Sequence, residues 1–232
     1  MPYYPALLDL SGRLVLLVGG GRVAARKIAA LLEAGARVRL VAPELAAETQ
    51  ALCAQAGVEL RRRGFLPADL EGAALVISAT GDQALNRAVA DEAGRRGLFV
   101  NVVDVPALCS FIVPAVLRRG DLVVAVSTSG ASPAAAARLR RDLEGRFGPE
   151  WALYLRILKL ARARLTALGR PAAENRPLFY RLVDSGLLAT VAAGDAAGAE
   201  GILTQVLGPG CGLAELGISP GDFTAGEGSK GR

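Results

Sequence analysis

Apolar and amphipathic segments alternate along the first half of the chain. LVLLV at 14–18 is an apolar strand pattern, an amphipathic helical pattern follows it, and ARVRLVAP at 36–43 is a second strand pattern. The alternation continues with a helix near 44–56, strands at 58–63 and 74–80, a helix near 82–96 and a strand at 98–104. Because strands that alternate with helices form parallel sheets covered on both faces, we predict an α/β, Rossmann-like parallel sheet domain over residues 1–113.

The pattern changes after this domain. Two short apolar strands joined by RRGD lead into a helix, with Ser132 as its N-cap and Pro133 at its first position. We therefore predict a small α+β region over residues 114–149.

The last part of the chain has helical patterns over residues 150–207, with breaks at 169–171 and near 194. We interpret this stretch as a helical C-terminal domain. Gly and Pro are frequent in the remainder, so we predict a flexible tail over 208–232 whose last residues, EGSKGR, are disordered.

Three small residues stand where the first strand turns into the first helix. Gly19, Gly21 and Ala24 fill the small positions of G-x-G-x-x-A. Gly19 permits the tight turn, Gly21 lets backbone approach a pyrophosphate, and Ala24 lets the helix lie close to the sheet. The free N–H groups at the helix start form an anion site, so the motif predicts a bound dinucleotide rather than a purely structural turn.

Composition narrows the cellular setting and the partners. Hydrophobic residues make up 52% of the chain, yet no apolar run approaches the roughly 18 residues of a membrane span, and the first ten residues lack the features of a signal peptide. We expect a cytoplasmic protein with no membrane partner. The three cysteines form no C-x-x-C pair, so neither a disulfide framework nor a metal site is expected.

Charge and the lack of histidine restrict the chemistry. The net charge is +5, and only three of the 27 basic residues are Lys. Arginine binds carboxylates and phosphates bidentately, which suits a polyanionic small molecule, although a high-GC codon bias explains the Arg content equally well. Basic residues are dispersed without interleaved aromatics, so nucleic acid is not an expected partner. Any acid or base must be a carboxylate, Lys, Tyr, Cys or water, because the chain contains no histidine.

Two further places carry candidate chemistry. Asp104 ends the fifth strand, at the sheet edge where parallel sheets bind ligands, and either catalysis or a turn before Pro106 explains it. The loop at 127–132 begins the helix after the hairpin, and it can either hold substrate carboxylates or simply cap that helix. Its candidate side chains are Ser127, Thr128, Ser129 and Ser132.

The same residues resemble a known family. NVVDVPALCSFIVPA at 101–115 and RRGDLVVAVSTSGASPAAAARLRRDLE at 118–144 are similar to precorrin-2 dehydrogenase, the dehydrogenase and ferrochelatase module of siroheme synthase. GGGRVAARK at 19–27 and VISATGDQALN at 76–86 fit the family in the same order and spacing. The resemblance is specific over residues 5–150 and general beyond them.

The resemblance implies NAD as cofactor and oxidation of precorrin-2 to sirohydrochlorin. It assigns the catalytic aspartate to Asp104 and dinucleotide contacts to Arg22, Val23, Pro43 and Glu44, and the end of VISAT adds Thr80 on the nicotinamide side. Precorrin-2 carries eight carboxylates, for which arginines beside the cleft have a use: Arg118, Arg119, Arg138 and Arg141. Where some members have a modifiable serine, this chain has Thr128.

The resemblance also bears on assembly and on further activities. It implies a homodimer, with residues 114–149 as the dimerisation region. It also implies that the binding clefts lie between the domains. In some members Fe(II) is inserted into sirohydrochlorin, so a bifunctional enzyme is an alternative function. A third possible function is that of a non-catalytic nucleotide or tetrapyrrole binding protein. Because the chain ends at residue 232, we expect no fused methyltransferase domain and a separate enzyme that supplies precorrin-2.

Overall fold

The structure, a computed structural model, describes residues 3–56 and 58–224, and the chain divides after Val113 into two compact units. The first unit contains five strands and three α-helices among its described residues: β1 Leu14–Val18, α1 Arg22–Glu33, β2 Arg37–Val41, α2 Ala47–Ala56, β3 Glu59–Arg61, β4 Ala73–Ser78, α3 Gln83–Arg95 and β5 Phe99–Val102. All neighbouring strands are parallel, in the order β3-β2-β1-β4-β5. The predicted Rossmann-like α/β fold is confirmed.

Burial explains why β1 is apolar throughout. It is the central strand, and all five of its residues are buried because both faces of the sheet are covered. Val15 and Leu17 pack in the core that contains the buried side of α1, whereas Leu16 and Val18 pack in the core that contains the buried side of α3. The carboxyl end of this strand is thereby held rigidly where the glycine turn begins.

A buried carboxylate ties the edge of this sheet to the chain before β4. Asp69 lies in a short 3-10 helix at Pro67–Leu70 and is 0% exposed. Its oxygens accept hydrogen bonds from Arg61 at 2.5 Å, from Arg63 at 2.7 Å and from the Leu66 N–H at 2.8 Å. Burial alone raises the pKa of Asp69, but these three donors outweigh burial and hold it far below its usual value.

The second unit combines a β-hairpin with helices. Its described elements are β6 Ala115–Arg119, β7 Leu122–Val126, α4 Pro133–Glu144, α5 Glu150–Ala167, α6 Ala172–Val183, α7 Leu187–Ala192, α8 Ala196–Leu207 and α9 Gly221–Thr224. Gly120, at φ +56°, and Asp121 form the two-residue turn of the antiparallel hairpin. The predicted helix breaks are confirmed, with Gly169 and Gly194 at positive φ after α5 and α7. The separate domain limits within this unit stay predictions.

The prediction of a flexible tail from residue 208 is wrong for residues 208–224. Cys211, Leu213 and Ile218 are buried in the same hydrophobic core as α5 and α8. The Glu200 carboxylate accepts the Leu213 N–H at 2.5 Å. The glycines in this stretch provide tight turns rather than flexibility, and the apolar residues between them supply the packing. EGSKGR lies outside the described residues.

Candidate active site

The glycine turn lies against the ends of two neighbouring strands. Gly19 has φ +109°, and a Cβ added to it would lie 2.5 Å from the Ala79 carbonyl oxygen after β4. A Cβ on Gly20 would lie 2.1 Å from the Glu44 carbonyl oxygen after β2, whereas one on Gly21 would meet nothing within 4 Å. Gly19 and Gly20 are therefore needed for packing, and Gly21 leaves open space for a ligand.

Side-chain and backbone hydrogen bonds fix this turn from the α2 side. The Gly19 N–H donates to the Val41 carbonyl at 2.9 Å, and the Ala46 N–H donates to the Gly20 carbonyl at 2.8 Å. Thr49, which is 0% exposed, donates its hydroxyl to the Gly21 carbonyl at 3.0 Å. The G-x-G-x-x-A pattern does not reveal Gly20 or Thr49, because their roles depend on contacts with a distant segment.

The start of α1 fits an anionic ligand. Gly21 is the N-cap residue of α1, and among the described residues no side chain caps the helix start. The first backbone hydrogen bond of the helix runs from the Ala25 N–H to the Gly21 carbonyl. The N–H groups of Arg22, Val23 and Ala24 are therefore free to bind a pyrophosphate. Ala24 is itself buried against the sheet, as its place in the motif predicts. These features match the requirements of a dinucleotide.

The remaining predicted cofactor residues flank the turn. Pro43 and Glu44 are exposed, and the Glu44 backbone is the one that contacts Gly20. On the other side, the Thr80 hydroxyl accepts the Asp82 N–H at 3.1 Å, and the buried Asn86 amide donates to the Thr80 carbonyl at 3.1 Å. The structure thus brings the predicted cofactor residues together at one edge of the sheet.

Asp104 sits in a tight turn just beyond β5. Its φ is +61°, a left-handed conformation that Asp and Asn tolerate better than most residues. The Val105 N–H donates to the Val102 carbonyl at 3.2 Å to close the turn. The Asp104 side chain is exposed and has no hydrogen-bond or ion-pair partner among residues 3–56 and 58–224. The turn proposed from sequence exists, and it presents a free carboxylate.

Cys109 and Asn101 make side-chain hydrogen bonds next to this turn. The Cys109 sulfur accepts the Val102 N–H at 3.2 Å and lies 3.4 Å from the Val105 carbonyl oxygen. The Asn101 side chain donates to the Phe111 carbonyl at 3.0 Å. Neither residue was a candidate from the sequence, because a lone Cys or Asn carries no local signal of such a role.

Lys27 is a further residue that the sequence did not single out. It lies half-buried on α1, and in the described structure its ammonium forms no hydrogen bond or ion pair. Burial and the neighbouring charge of Arg26 lower its pKa, and the negative charge of Asp104 opposes that shift. Lys27 therefore lies within electrostatic range of Asp104.

The loop at 127–132 caps α4 and uses most of its hydroxyl groups internally. Ser132 accepts the Ala135 N–H at 3.1 Å, so the predicted N-cap is confirmed. The Thr128 hydroxyl donates to the Ser132 carbonyl and accepts the Ser132 N–H, each at 3.0 Å, and Ser127 accepts the Ser129 N–H at 3.1 Å. Ser129, at φ +53°, has the one hydroxyl of this loop without a described partner. Substrate binding by these residues stays a prediction.

The predicted substrate arginines differ in availability. Arg118 is exposed and, within the described residues, has no ion-pair partner. Arg119 donates to the Phe147 carbonyl at 3.1 Å and so braces β6. On α4, Arg138 pairs with Asp142 at 2.9 Å. Arg118 is thus better placed than Arg119 or Arg138 to accept a new anion.

Gly20→Ala and Gly21→Ala are expected to separate stability from cofactor binding. The Gly20 variant forces a methyl group into the Glu44 backbone, which should cost about 1–3 kcal/mol of unfolding free energy. The Gly21 variant enters open space, so its stability should hold while dinucleotide affinity falls. Urea unfolding and NAD titration measure the two effects, and equal stability losses in both variants would contradict the assignment.

Within the described residues, each helix is too short or too polar to span a membrane. Within the same residues, no three His, Cys, Asp or Glu side chains form a group that could hold a metal ion.

Comparisons with known proteins agree with the two-unit architecture. Residues 6–115 match a family described as putative NAD(P)-binding, and residues 119–146 match a family described as sirohaem biosynthesis protein central. The siroheme synthase of Pseudomonas paraeruginosa PA7 is 41% identical over 96% of this chain, and that of Pseudomonas fluorescens Pf0-1 is 48% identical over 62% of it. This chain spans 49% and 31% of those two proteins, respectively.

Among solved structures, SirC, a precorrin-2 dehydrogenase, superposes with a TM-score of 0.74 at 29% identity, covering 88% of this chain and 99% of SirC. The similarity therefore extends through the hairpin and into the helices of the second unit, beyond the segment in which the sequence resemblance is specific. Together with the glycine turn and the Asp104 turn, these matches establish that the chain belongs to the family of siroheme synthase and precorrin-2 dehydrogenase.

Proposed function

We propose that this protein oxidises precorrin-2 to sirohydrochlorin with NAD as hydride acceptor and Asp104 as general base. The observation that carries the proposal is the exposed Asp104 carboxylate, which has no partner among the described residues and follows β5 on the sheet edge where the glycine turn follows β1. The likeness to SirC, which is named a precorrin-2 dehydrogenase, supports the substrate.

The proposed chemistry removes a hydride and a proton from the macrocycle. A bound nicotinamide would supply the hydride acceptor. Asp104 accepts the proton, since its carboxylate is exposed and no described residue competes for it. The Lys27 side chain on α1 lies within electrostatic range of this carboxylate. This arrangement needs no histidine.

The substrate's carboxylates require cationic or hydrogen-bonding partners. We propose Arg118 and Arg119, with the loop that contains Ser127, Thr128, Ser129 and Ser132, as the residues that bind them. Arg118 and Ser129 support this role best, because both side chains have free donors within the described residues.

NAD is proposed over NADP because of the surroundings of the second strand end. Arg39 is engaged with Glu59 at 2.9 Å and with the Asp69 and Glu71 carbonyls, so it is not available to a 2′-phosphate. Glu44 lies exposed beside the glycine turn, and its negative charge disfavours a 2′-phosphate.

Glu44→Gln is expected to lower the KM for NADP by about fivefold, since it removes one exposed like charge. The KM for NAD should stay the same or rise. Steady-state kinetics with both cofactors test this, and Glu33→Gln, an exposed change at the far end of α1, is the matched control. A Glu44 variant with unchanged discrimination would refute the role of this carboxylate.

The direct test is an anaerobic incubation of the protein with precorrin-2 and either NAD or NADP. We expect NADH absorbance and the sirohydrochlorin spectrum to appear together, with NAD preferred. No turnover with either cofactor would instead support the third possibility, a protein that binds a nucleotide or tetrapyrrole without reacting.

Iron insertion is an alternative second activity that the family resemblance raises. The test adds Fe(II) to sirohydrochlorin and the pure protein without NAD. A rate above that of the metal and pigment alone would establish the bifunctional enzyme, and a rate equal to it would leave dehydrogenation as the single activity.

We also propose a homodimer formed through the hairpin. The strand register places Val116, Val123 and Ala125 on the face opposite the buried Leu117, and all three are at least partly exposed. Sedimentation of the wild type and of Val116→Arg tests this, since a second cation on the face that carries Arg118 should disrupt the interface and produce monomers. A monomeric wild type would refute it.

A further inference from the structure

A groove between α5 and α6 has the features of a ligand site that the proposed reaction does not use. It encloses about 510 Å³, and its lining includes Arg162 and Thr166 of α5 and Asn175, Arg176, Phe179 and Tyr180 of α6. Its volume falls in the range of sites for small ligands. We call it the α5–α6 groove.

Two guanidinium groups in this groove are held in place but not neutralised. Arg162 lies 5.0 Å from the centroid of the Phe179 ring, and Arg176 lies 5.9 Å from that of Tyr180. Neither arginine forms an ion pair within the described residues, and no carboxylate lines the groove. Stacking on the rings orders both cations while leaving their N–H donors available to an anion.

A buried acceptor in the same groove lacks a donor. Asn175 is 8% exposed, and its Nδ2 donates to the Arg170 carbonyl at 3.3 Å. Within the described chain, its Oδ1 is the one buried side-chain polar atom that has no hydrogen-bond partner. This oxygen is shielded from solvent, so the groups that a ligand in the groove can reach are the two arginines and the aromatic rings.

The rings define the rest of the ligand. Tyr180 is 61% exposed although it is a large aromatic residue, and Phe179, which also lines the groove, is partly buried. An exposed aromatic surface next to two cations favours a flat, unsaturated body with acidic groups at its edge.

We propose that the α5–α6 groove binds a planar anion, namely an unsaturated ring system that carries a carboxylate or phosphate. Pyrrole carboxylates and purine nucleotides share this chemistry. The proposal is independent of the dehydrogenase reaction, so a protein without turnover would leave it standing.

The test titrates the full chain calorimetrically with uroporphyrin I, a stable tetrapyrrole octacarboxylate, and separately with AMP. Arg176→Gln removes one cation of the groove, and Arg181→Gln removes an exposed cation of the same helix that does not line it. The first unit can also bind either probe. Binding to the groove is therefore identified as the part of the measured binding that is lost in Arg176→Gln but kept in Arg181→Gln.

We expect the groove's affinity to fall about tenfold in Arg176→Gln and to change less than about twofold in Arg181→Gln. A loss with uroporphyrin alone assigns the groove to tetrapyrrole carboxylates, and a loss with AMP alone assigns it to nucleotides. A loss with both supports the general class. If neither probe shows a difference between the two variants, the proposal is overturned. Circular dichroism of both variants confirms that the helices are intact.

Discussion

Asp104→Asn is expected to lower kcat for precorrin-2 oxidation by about a hundredfold or more, the usual contribution of a general base. Asn keeps the shape of the side chain and tolerates the left-handed φ of +61° at this position, so the turn should survive. Ala would lose the carboxylate and strain the backbone together, and the two effects could not be separated. NADH formation under saturating substrate measures the loss.

Two readouts make this result specific to the carboxylate. The affinity for NAD should be preserved, because the glycine turn is untouched. Asp91→Asn, an exposed change on α3 in the same unit, should retain full activity. An Asp104→Asn enzyme with more than a third of wild-type kcat would show that another group accepts the proton, and Lys27 in its neutral form would be the next candidate.

Asp69→Asn is expected to reduce the free energy of unfolding by about 2 kcal/mol at pH 7, because a buried carboxylate loses charge-assisted hydrogen bonds to two partly exposed arginines. The substitution preserves volume but leaves Arg63 without an anionic partner and Arg61 with Glu59 alone. Asp142→Asn, which breaks an exposed pair with Arg138 on α4, should cost less than about 0.5 kcal/mol. Urea unfolding monitored by circular dichroism compares the three proteins.

The pH dependence gives this prediction a second test. Because folding lowers the pKa of Asp69, the unfolded chain binds the proton more tightly and stability falls as the pH drops. The contribution is complete above the ordinary Asp pKa of 3.8 and is lost progressively below it. The difference between wild type and Asp69→Asn should therefore shrink as the pH falls from 5 toward 3. A difference that stays constant over this interval would mean that packing rather than charge explains the loss.

Several elements of the fold were predictable because their signals are local. The apolar run of β1, the glycines behind it and the helical spacing of α1 lie within one short segment, and the predicted strands and helices of the first unit were all found. The N-cap at Ser132 follows from the same kind of signal, since capping involves neighbours three residues apart. By contrast, the Gly-rich composition of residues 208–224 led to the wrong prediction of a flexible tail, because the apolar residues between the turns pack into a core formed by distant helices.

The parallel α/β unit, the dinucleotide motif and the family were predictable from the amino-acid sequence, because periodicity, turn residues and motif spacing act over a few residues. The contact between Gly20 and Glu44, the hydrogen bond by which Thr49 anchors the turn, and the grouping of Arg162 and Arg176 in one groove could be known only from the folded chain. The reason is physical: these roles depend on which distant segments the packed sheet and helices bring within a few ångströms, and no local pattern encodes those distances.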